Sequence, residues 1–291
     1  MQMIDRRNFL QAGLAAAGGF AALHSRSLQA NPYGLPIGLE LYTVREQLEK
    51  DFAGALSKVA AVGYKEVELS GFYGRSAAEI KRLLDLDALV CPAAHYGVAD
   101  IQSGWEKQIE DAQVLGMRYM VLPSLPDSMR GSMDAYKRAT EFLNRTGAQC
   151  KHAGIQFAYH NHNRDFEKVS GVAAYDVLLK GTDPALVQFE LDCFWVTRAG
   201  YDPVAYLNRY PGRFPLLHIK DESPGYPPTA TGPTPAAAFT EVGRGKINWK
   251  RIFKAALKGG LRHYFVEQDE CAVPPLQAIR ISYDYLQKLK V

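Results

Sequence analysis

Four apolar runs in the second half of the chain each end in side chains that can bind a metal or carry a proton. Residues 155–159 run into His160-Asn161-His162, residues 187–191 end at Asp192, residues 216–220 contain His218, and residues 264–266 lead to Glu267. Short runs rich in β-branched and aromatic residues read as buried strands. Side chains two apart on a strand share a face, so His160 and His162 lean into the same space. Burying carboxylates and imidazoles together is costly unless they pair or share a cation. One divalent metal meets that need. Two imidazoles with two carboxylates suit Mn²⁺, Zn²⁺, Co²⁺ or Fe²⁺ and suit Ca²⁺ poorly. Each group alone has a plainer use: a strand-end His as a structural hydrogen bonder, Asp192 as a helix cap, Glu267 as an arginine partner. The succession Asp192, His218, Glu267 on consecutive strands favours the joint reading.

The elements that must position these groups alternate along the chain. Apolar runs at 37–42, 66–69, 89–95, 119–122, 155–159, 187–191, 216–220 and 264–266 read as strands. Helical patterns cover 46–62, 76–84, the stretch up to Leu115, 133–152, 173–179, 203–209, 249–257 and 275–289. Ser76 with Glu79 three residues on is an N-terminal capping pattern; Gly63 and Gly116 sit where helices end. Eight strand–helix units in about 260 residues predict a (β/α)₈ barrel, one domain over 31–291. No G-x-G-x-x-G follows the first strand, which disfavours an open dinucleotide-binding sheet. In a barrel the C-terminal strand ends face one mouth. Glu40, Glu68, His95 and Lys220 then join the residues above, whereas His152 and His263, just before strands, belong to the opposite end. The Pro-, Gly- and Thr-rich stretch 223–240 reads as a lid or substrate wall.

The first 30 residues stand apart from the fold. Arg6-Arg7-Asn8-Phe9-Leu10 precedes a weakly apolar run at 12–23. This resembles a twin-arginine export signal, with a cut after Ala30 expected and the periplasm as destination. The run is too short to span a bilayer comfortably, so no stable membrane span is expected. The chain carries 34 Lys and Arg against 31 Asp and Glu, a formal net charge of +3. This near balance gives no support to a nucleic-acid or membrane-surface partner. The four cysteines (Cys91, Cys150, Cys193, Cys271) form no C-x-x-C pair and read as structural.

The ordered set Y-H-N-H, D-F at Asp165-Phe166, L-D at Leu191-Asp192, L-H-I-K-D at 217–221, V-G-R-G-K-I-N-W at 242–249 and V-E-Q-D at 266–269 resembles the sugar phosphate isomerase/epimerase family. That family lies in the xylose-isomerase-like TIM-barrel superfamily, with inosose dehydratases and keto-glycoside lyases. The resemblance implies one divalent metal, Mn²⁺ favoured, and a carbohydrate substrate. It implies Asp192, His218 and Glu267 as ligands after the sixth, seventh and eighth strands. The ligand after the fifth strand is a Glu in the epimerase branch, and His160 stands there in this chain. In the epimerases two ligand carboxylates exchange a proton across the substrate; here that pair is asymmetric. His160 is accordingly read as a ligand and His162 as general base, with the reverse left open. Glu267 doubles as an acid–base group, and Lys220 either polarises a substrate oxygen or snorkels at the barrel end. Glu40, Glu68, His95 and Trp195 are candidates for substrate binding. Export and the want of a phosphate cradle point to an unphosphorylated sugar. Rival readings are a non-catalytic periplasmic sugar-binding protein and a metal-dependent endonuclease on the same barrel.

Overall fold

The computed structural model describes residues 34–290. The twin-arginine pattern and its cut site lie outside the described residues. Eight parallel strands close into a barrel: β1 (Gly38–Glu40), β2 (Glu66–Leu69), β3 (Val90–His95), β4 (Tyr119–Leu122), β5 (Gln156–His160), β6 (Val187–Asp192), β7 (Leu216–Ile219) and β8 (His263–Val266). Each strand pairs with its sequence neighbours, and β1 closes the ring against β8. The main surrounding helices are α1 (Phe52–Val62), α2 (Ala77–Leu86), α3 (Trp105–Leu115), α4 (Met133–His152), α5 (Ala174–Gly181), α6 (Pro203–Arg209), α7 (Trp249–Lys258) and α8 (Pro275–Lys288). This is the single-domain (β/α)₈ barrel expected from the alternation.

Period-two alternation sorts the strand residues into two sets. Leu39, Val67, Ala94, Met120, Phe157, Tyr159, Phe189, Leu191, Leu217, Ile219, Tyr264 and Val266 join the large apolar cluster under the helices. Ala93, Val121, Ala158, Leu216 and Phe265 form a separate small plug inside the barrel. Gly38 is required beside that plug. A Cβ there would stand 2.5 Å from Cδ1 of Phe265 and 2.7 Å from the Tyr264 carbonyl oxygen. Below the plug His263 Nδ1 meets Glu66 Oε2 at 2.8 Å, so this imidazole does belong to the end opposite the mouth.

Several elements differ from the expectation, each for a local reason. The first strand stops at Glu40, whose carboxylate accepts the Tyr42 amide and starts a 3₁₀ turn, Leu41–Val44. The helix expected over 46–62 is two: Asp51 ends Arg45–Lys50 and caps α1 by accepting the Gly54 amide at 3.0 Å. The helix before Gly116 is likewise split, into Val98–Gln102 and α3, at Gly104 with φ of 139°. Cys193 opens the short helix Cys193–Arg198 rather than lying in a strand. Ser76, Ser132 and Asn248 cap as their types suggest, each accepting an amide three residues on. The stretch 223–240 is tied at its base, where Asp221–Glu222 pairs antiparallel with Phe239–Thr240. Among the described residues no helix is long and apolar enough to cross a membrane.

Candidate metal centre

Above the apolar plug the inward-facing set turns polar on seven of the eight strands or just after them. Register aligns Glu40 with Glu68, His160 with Glu190, and Asp192 with His218. Glu40, Glu68, Glu190, Asp192 and His218 are fully buried, and His160, Lys220 and Glu267 nearly so.

Two layers of ligand-type groups result, with His160 and His218 between them. In the outer layer the donor atoms of Asp192, His218 and Glu267 all lie within 4.8 Å of one another. Glu267 Oε2 is 2.7 Å from His218 Nδ1. Asp192 Oδ2 stands 3.8 Å from His160 Nε2 and 3.9 Å from His218 Nδ1. Lys220 threads among the same acids, its Nζ 2.8 Å from Glu267, 2.7 Å from Asp269 and 3.3 Å from Asp192. In the inner layer His95, His160, Glu190 and His218 are also within 4.8 Å of one another. Glu190 Oε2 meets His95 Nε2 at 3.1 Å, His160 Nδ1 at 3.0 Å and His218 Nε2 at 3.1 Å. Glu68 Oε2 stands 2.6 Å from His218 Nε2 and 3.5 Å from His95 Nε2.

The electrostatics follow from burial set against these contacts. Burial disfavours the ionised Asp192 and outweighs Lys220 and His218, leaving its pKa at about 6. Burial opposes charge on Glu267 too, but Lys220 and His218 hold it well below the usual carboxylate range. Glu190 is depressed against burial by His218 and by its imidazole hydrogen bonds. Burial lowers His95, yet Glu68 and Glu190 raise it to about 9. His160 falls to about 3, through burial and the charge on His218. His162 is also held neutral, by burial first and then by His160 and Lys220. Lys220 stays charged despite burial because of Asp192, Asp269 and Glu267.

This donor set fits a divalent cation. Asp192 Oδ2 is buried without a hydrogen bond, and its other oxygen is committed to the Trp195 amide at 2.8 Å, which fixes the carboxylate's direction. Neutral imidazole and carboxylate oxygen are the ligands that borderline first-row ions take. Asp192, His218 and Glu267, with His160 Nε2 beside them, are the groups that would hold it.

The other expected site residues fall as follows. His162 packs its ring on His160 and on Trp195, at centroid distances of 5.0 and 5.2 Å, and its Nδ1 is buried with no hydrogen bond. Its backbone is held by Asp165, which accepts the His162 amide at 2.8 Å and is itself gripped by Arg130 at 2.6 Å and the Tyr159 hydroxyl at 2.9 Å. Trp195 is 8% exposed and packs against Phe194 and Phe239 as well as His162. Glu68 lies inside the inner layer. Glu40 is buried with Oε1 unpartnered, and burial and Glu267 push its pKa up. His95 belongs to the inner layer and also lines a cavity of about 390 Å³ with Ser70, Phe72, Arg75, Tyr96 and Gln108.

Two residues of the centre lay beyond the strand-end reading. Asp269 is a turn residue past β8, and nothing in the sequence ties it to Lys220. Glu190 was legible: Gln188, Glu190 and Asp192 alternate with Val187, Phe189 and Leu191, so Glu190 shares the inward face of Asp192.

Barrel and centre together define a class. Residues 56–289 match the family model of the xylose isomerase-like TIM barrel, and the chain belongs to that family. Its similarity to particular proteins is lower. An inosose dehydratase of Clostridium beijerinckii is 23% identical over 270 residues, covering 82% of this chain and 90% of that protein. A sugar phosphate isomerase/epimerase structure from Parabacteroides distasonis shares 29% identity at a TM-score of 0.74, covering 87% of this chain and 93% of the other. The IolI protein, solved with a zinc atom, shares the fold at 15% identity and a TM-score of 0.69, over 86% of this chain and 96% of that one.

Proposed function

We propose that this chain is a divalent-metal-dependent enzyme that removes the proton next to a carbonyl in an unphosphorylated sugar or keto-sugar. The reaction completed is an isomerisation, an epimerisation or a β-elimination. One observation carries the reading: a buried Asp–His–Glu donor set beside a neutral imidazole with an unpartnered nitrogen. Relatives that carry sugar isomerase, epimerase and inosose dehydratase names support it.

Asp192, His218, Glu267 and His160 would hold a divalent cation, which when bound would supply electrostatic stabilisation of the charge that develops on the substrate oxygen. His162 Nδ1 is the atom that takes the proton; a neutral imidazole is the form that can accept it. Trp195 and Asp165 hold that ring in place. Lys220 delivers a permanent positive charge next to the same oxygen, and Glu267, with Oε2 2.8 Å from the Lys220 Nζ, is the second proton-transfer group of this reading. Water is excluded because the groups are buried around an apolar plug. The cavity beside His95, walled by Phe72 and Tyr96, has room for the rest of a sugar. An unphosphorylated substrate is favoured because Lys220, Arg130 and Arg198 are each paired with carboxylates of the protein. The Arg6-Arg7 pattern adds a periplasmic location to the proposal.

The test is incubation of purified, Mn²⁺-loaded protein in D₂O with 3-keto-glycosides, inososes and free ketoses, followed by NMR. Exchange of a C–H proton next to the carbonyl, abolished in Asp192→Ala and His218→Ala, is the expected result and separates a catalyst from a sugar-binding protein. Protein that takes up no divalent metal and exchanges no proton on any of these substrates overturns the reading.

A further inference from the structure

The cavity between the loops after β2 and β3 and helix α3 meets the centre only at His95; none of the expected ligands or proton-transfer groups lines it. His95 lies 5.4 Å from His160, ring to ring, and His160 lies 5.0 Å from His162. A molecule that reacts over Asp192 and Glu267 and also fills this cavity therefore has two parts. The cavity volume is about 390 Å³. A hexose ring with its substituents has about a dozen non-hydrogen atoms, which at no more than a water's share of roughly 30 Å³ each need at most about 360 Å³. There is room for a whole second ring beyond the one that reacts.

The walls suit an uncharged ring bearing hydroxyls. Phe72 and Tyr96 stand 6.3 Å apart, inclined at 51°, and offer apolar faces. Loop 70–75 holds Phe72 there in a strained turn: Tyr73 has φ of 52°, rare for a residue with a side chain, and Gly74 follows at 72°. Tyr73 is pinned by its hydroxyl, 3.1 Å from Ser70 Oγ, and by its carbonyl, which accepts from Arg75 Nη1 at 3.1 Å. The charged groups of the lining are already engaged. Arg75 pairs with Glu79 at 3.4 Å, Asp100 accepts the Gly97 amide at 2.8 Å, and Asp111 pairs with Lys107. Among the described residues none partners the Gln108 side-chain amide, so its donors and its acceptor face the cavity unspent.

We propose that this cavity is the subsite for the second ring of a glycoside, with Phe72 and Tyr96 against its apolar faces and Gln108 bonded to its hydroxyls. Phe72 and Gln108 then determine the preference for two-ring over one-ring substrates. The inference rests on the proton-abstraction reading above and narrows its substrate class.

Proton exchange in D₂O, followed by NMR on the Mn²⁺-loaded full chain, tests it with substrates that share one keto ring. These are α- and β-linked 3-keto-disaccharides, the matching methyl 3-keto-glycosides and the free keto-sugar. Binding energy gathered away from the reacting atoms raises turnover as well as affinity. The better-linked disaccharide is expected to exceed its methyl glycoside at least about tenfold in kcat/KM. Gln108→Ala is expected to cut that ratio roughly 3–10-fold, the worth of one neutral hydrogen bond. Phe72→Ala should cut it as well, and thermal melting checks that both variants fold. A loss by the same factor on disaccharide and methyl glycoside marks a merely structural role and overturns the subsite. So does a wild-type disaccharide rate no better than that of its methyl glycoside. Either result comes with exchange on one-ring substrates and leaves the proton-abstraction reading standing. Absence of exchange on every substrate overturns that reading and this inference with it.

Discussion

Replacing Lys220 by Met removes a buried ammonium from among three carboxylates without much change of volume. Its Nζ lies 2.7 Å from Asp269, 2.8 Å from Glu267 and 3.3 Å from Asp192, and the residue is 1% exposed. Breaking a buried pair by removing one partner costs about 3–5 kcal/mol, because the remaining charge is left uncompensated. In a domain of this size 1 kcal/mol moves Tm by roughly 2–4 °C, so the metal-free variant should melt about 10 °C below wild type. A bound divalent ion reverses the sign of the argument. Unit charges ~4 Å apart repel by about 4 kcal/mol at an effective dielectric of 20, so the ammonium weakens binding of any cation on the same acids. The variant should therefore bind Mn²⁺ more tightly than wild type and recover most of its lost stability on loading. Occupancy at 100 times Kd alone returns about 2.7 kcal/mol. Scanning calorimetry with and without Mn²⁺, together with turnover of the substrate found by proton exchange, is the assay. Turnover should fall even though metal binding improves. A metal-free variant melting within about 2 °C of wild type, a shift well below the one derived above, would refute the reasoning. So would an equal Mn²⁺-induced shift in both proteins.

Two further outcomes follow from neighbouring groups. The folded-state pKa of His95 is raised from 6.5 to about 9, so its stabilisation of the metal-free protein is fully present below pH 6.5 and lost as pH rises through 9. The difference corresponds to about 3 kcal/mol at most, and urea unfolding of His95→Gln should show a correspondingly flatter profile over pH 6.5–9 than wild type. Arg130→Met should cost about 3–5 kcal/mol by stranding buried Asp165. Adding Asp165→Asn should recover part of that loss in thermal melts, and a double variant no better than Arg130→Met would contradict the charge argument.

The sequence alone determined the barrel and the mouth. Alternation of apolar runs with helical patterns dictates β/α units, and parallel β/α units of this number close on themselves, so residues distant in the chain gather wherever strands end. That logic brought together His160, His162, Asp192, His218, Lys220 and Glu267 without any knowledge of contacts. Glu190, passed over when only strand ends were read, carried a signal in the period of two over 187–192, because a strand's inward face is a local property. Tertiary structure decided what locality cannot reach. Which nitrogen of His160 or His218 turns toward which acid depends on register between β5, β6 and β7. The pairing of Lys220 with Asp269 depends on a turn folding back over the mouth. The plug of Ala93, Val121, Ala158, Leu216 and Phe265 beneath the centre is assembled from five strands, none of which carries that information by itself. Strand identity is written in nearest neighbours; the direction of a hydrogen bond across a closed barrel is written only in the packing of all eight strands.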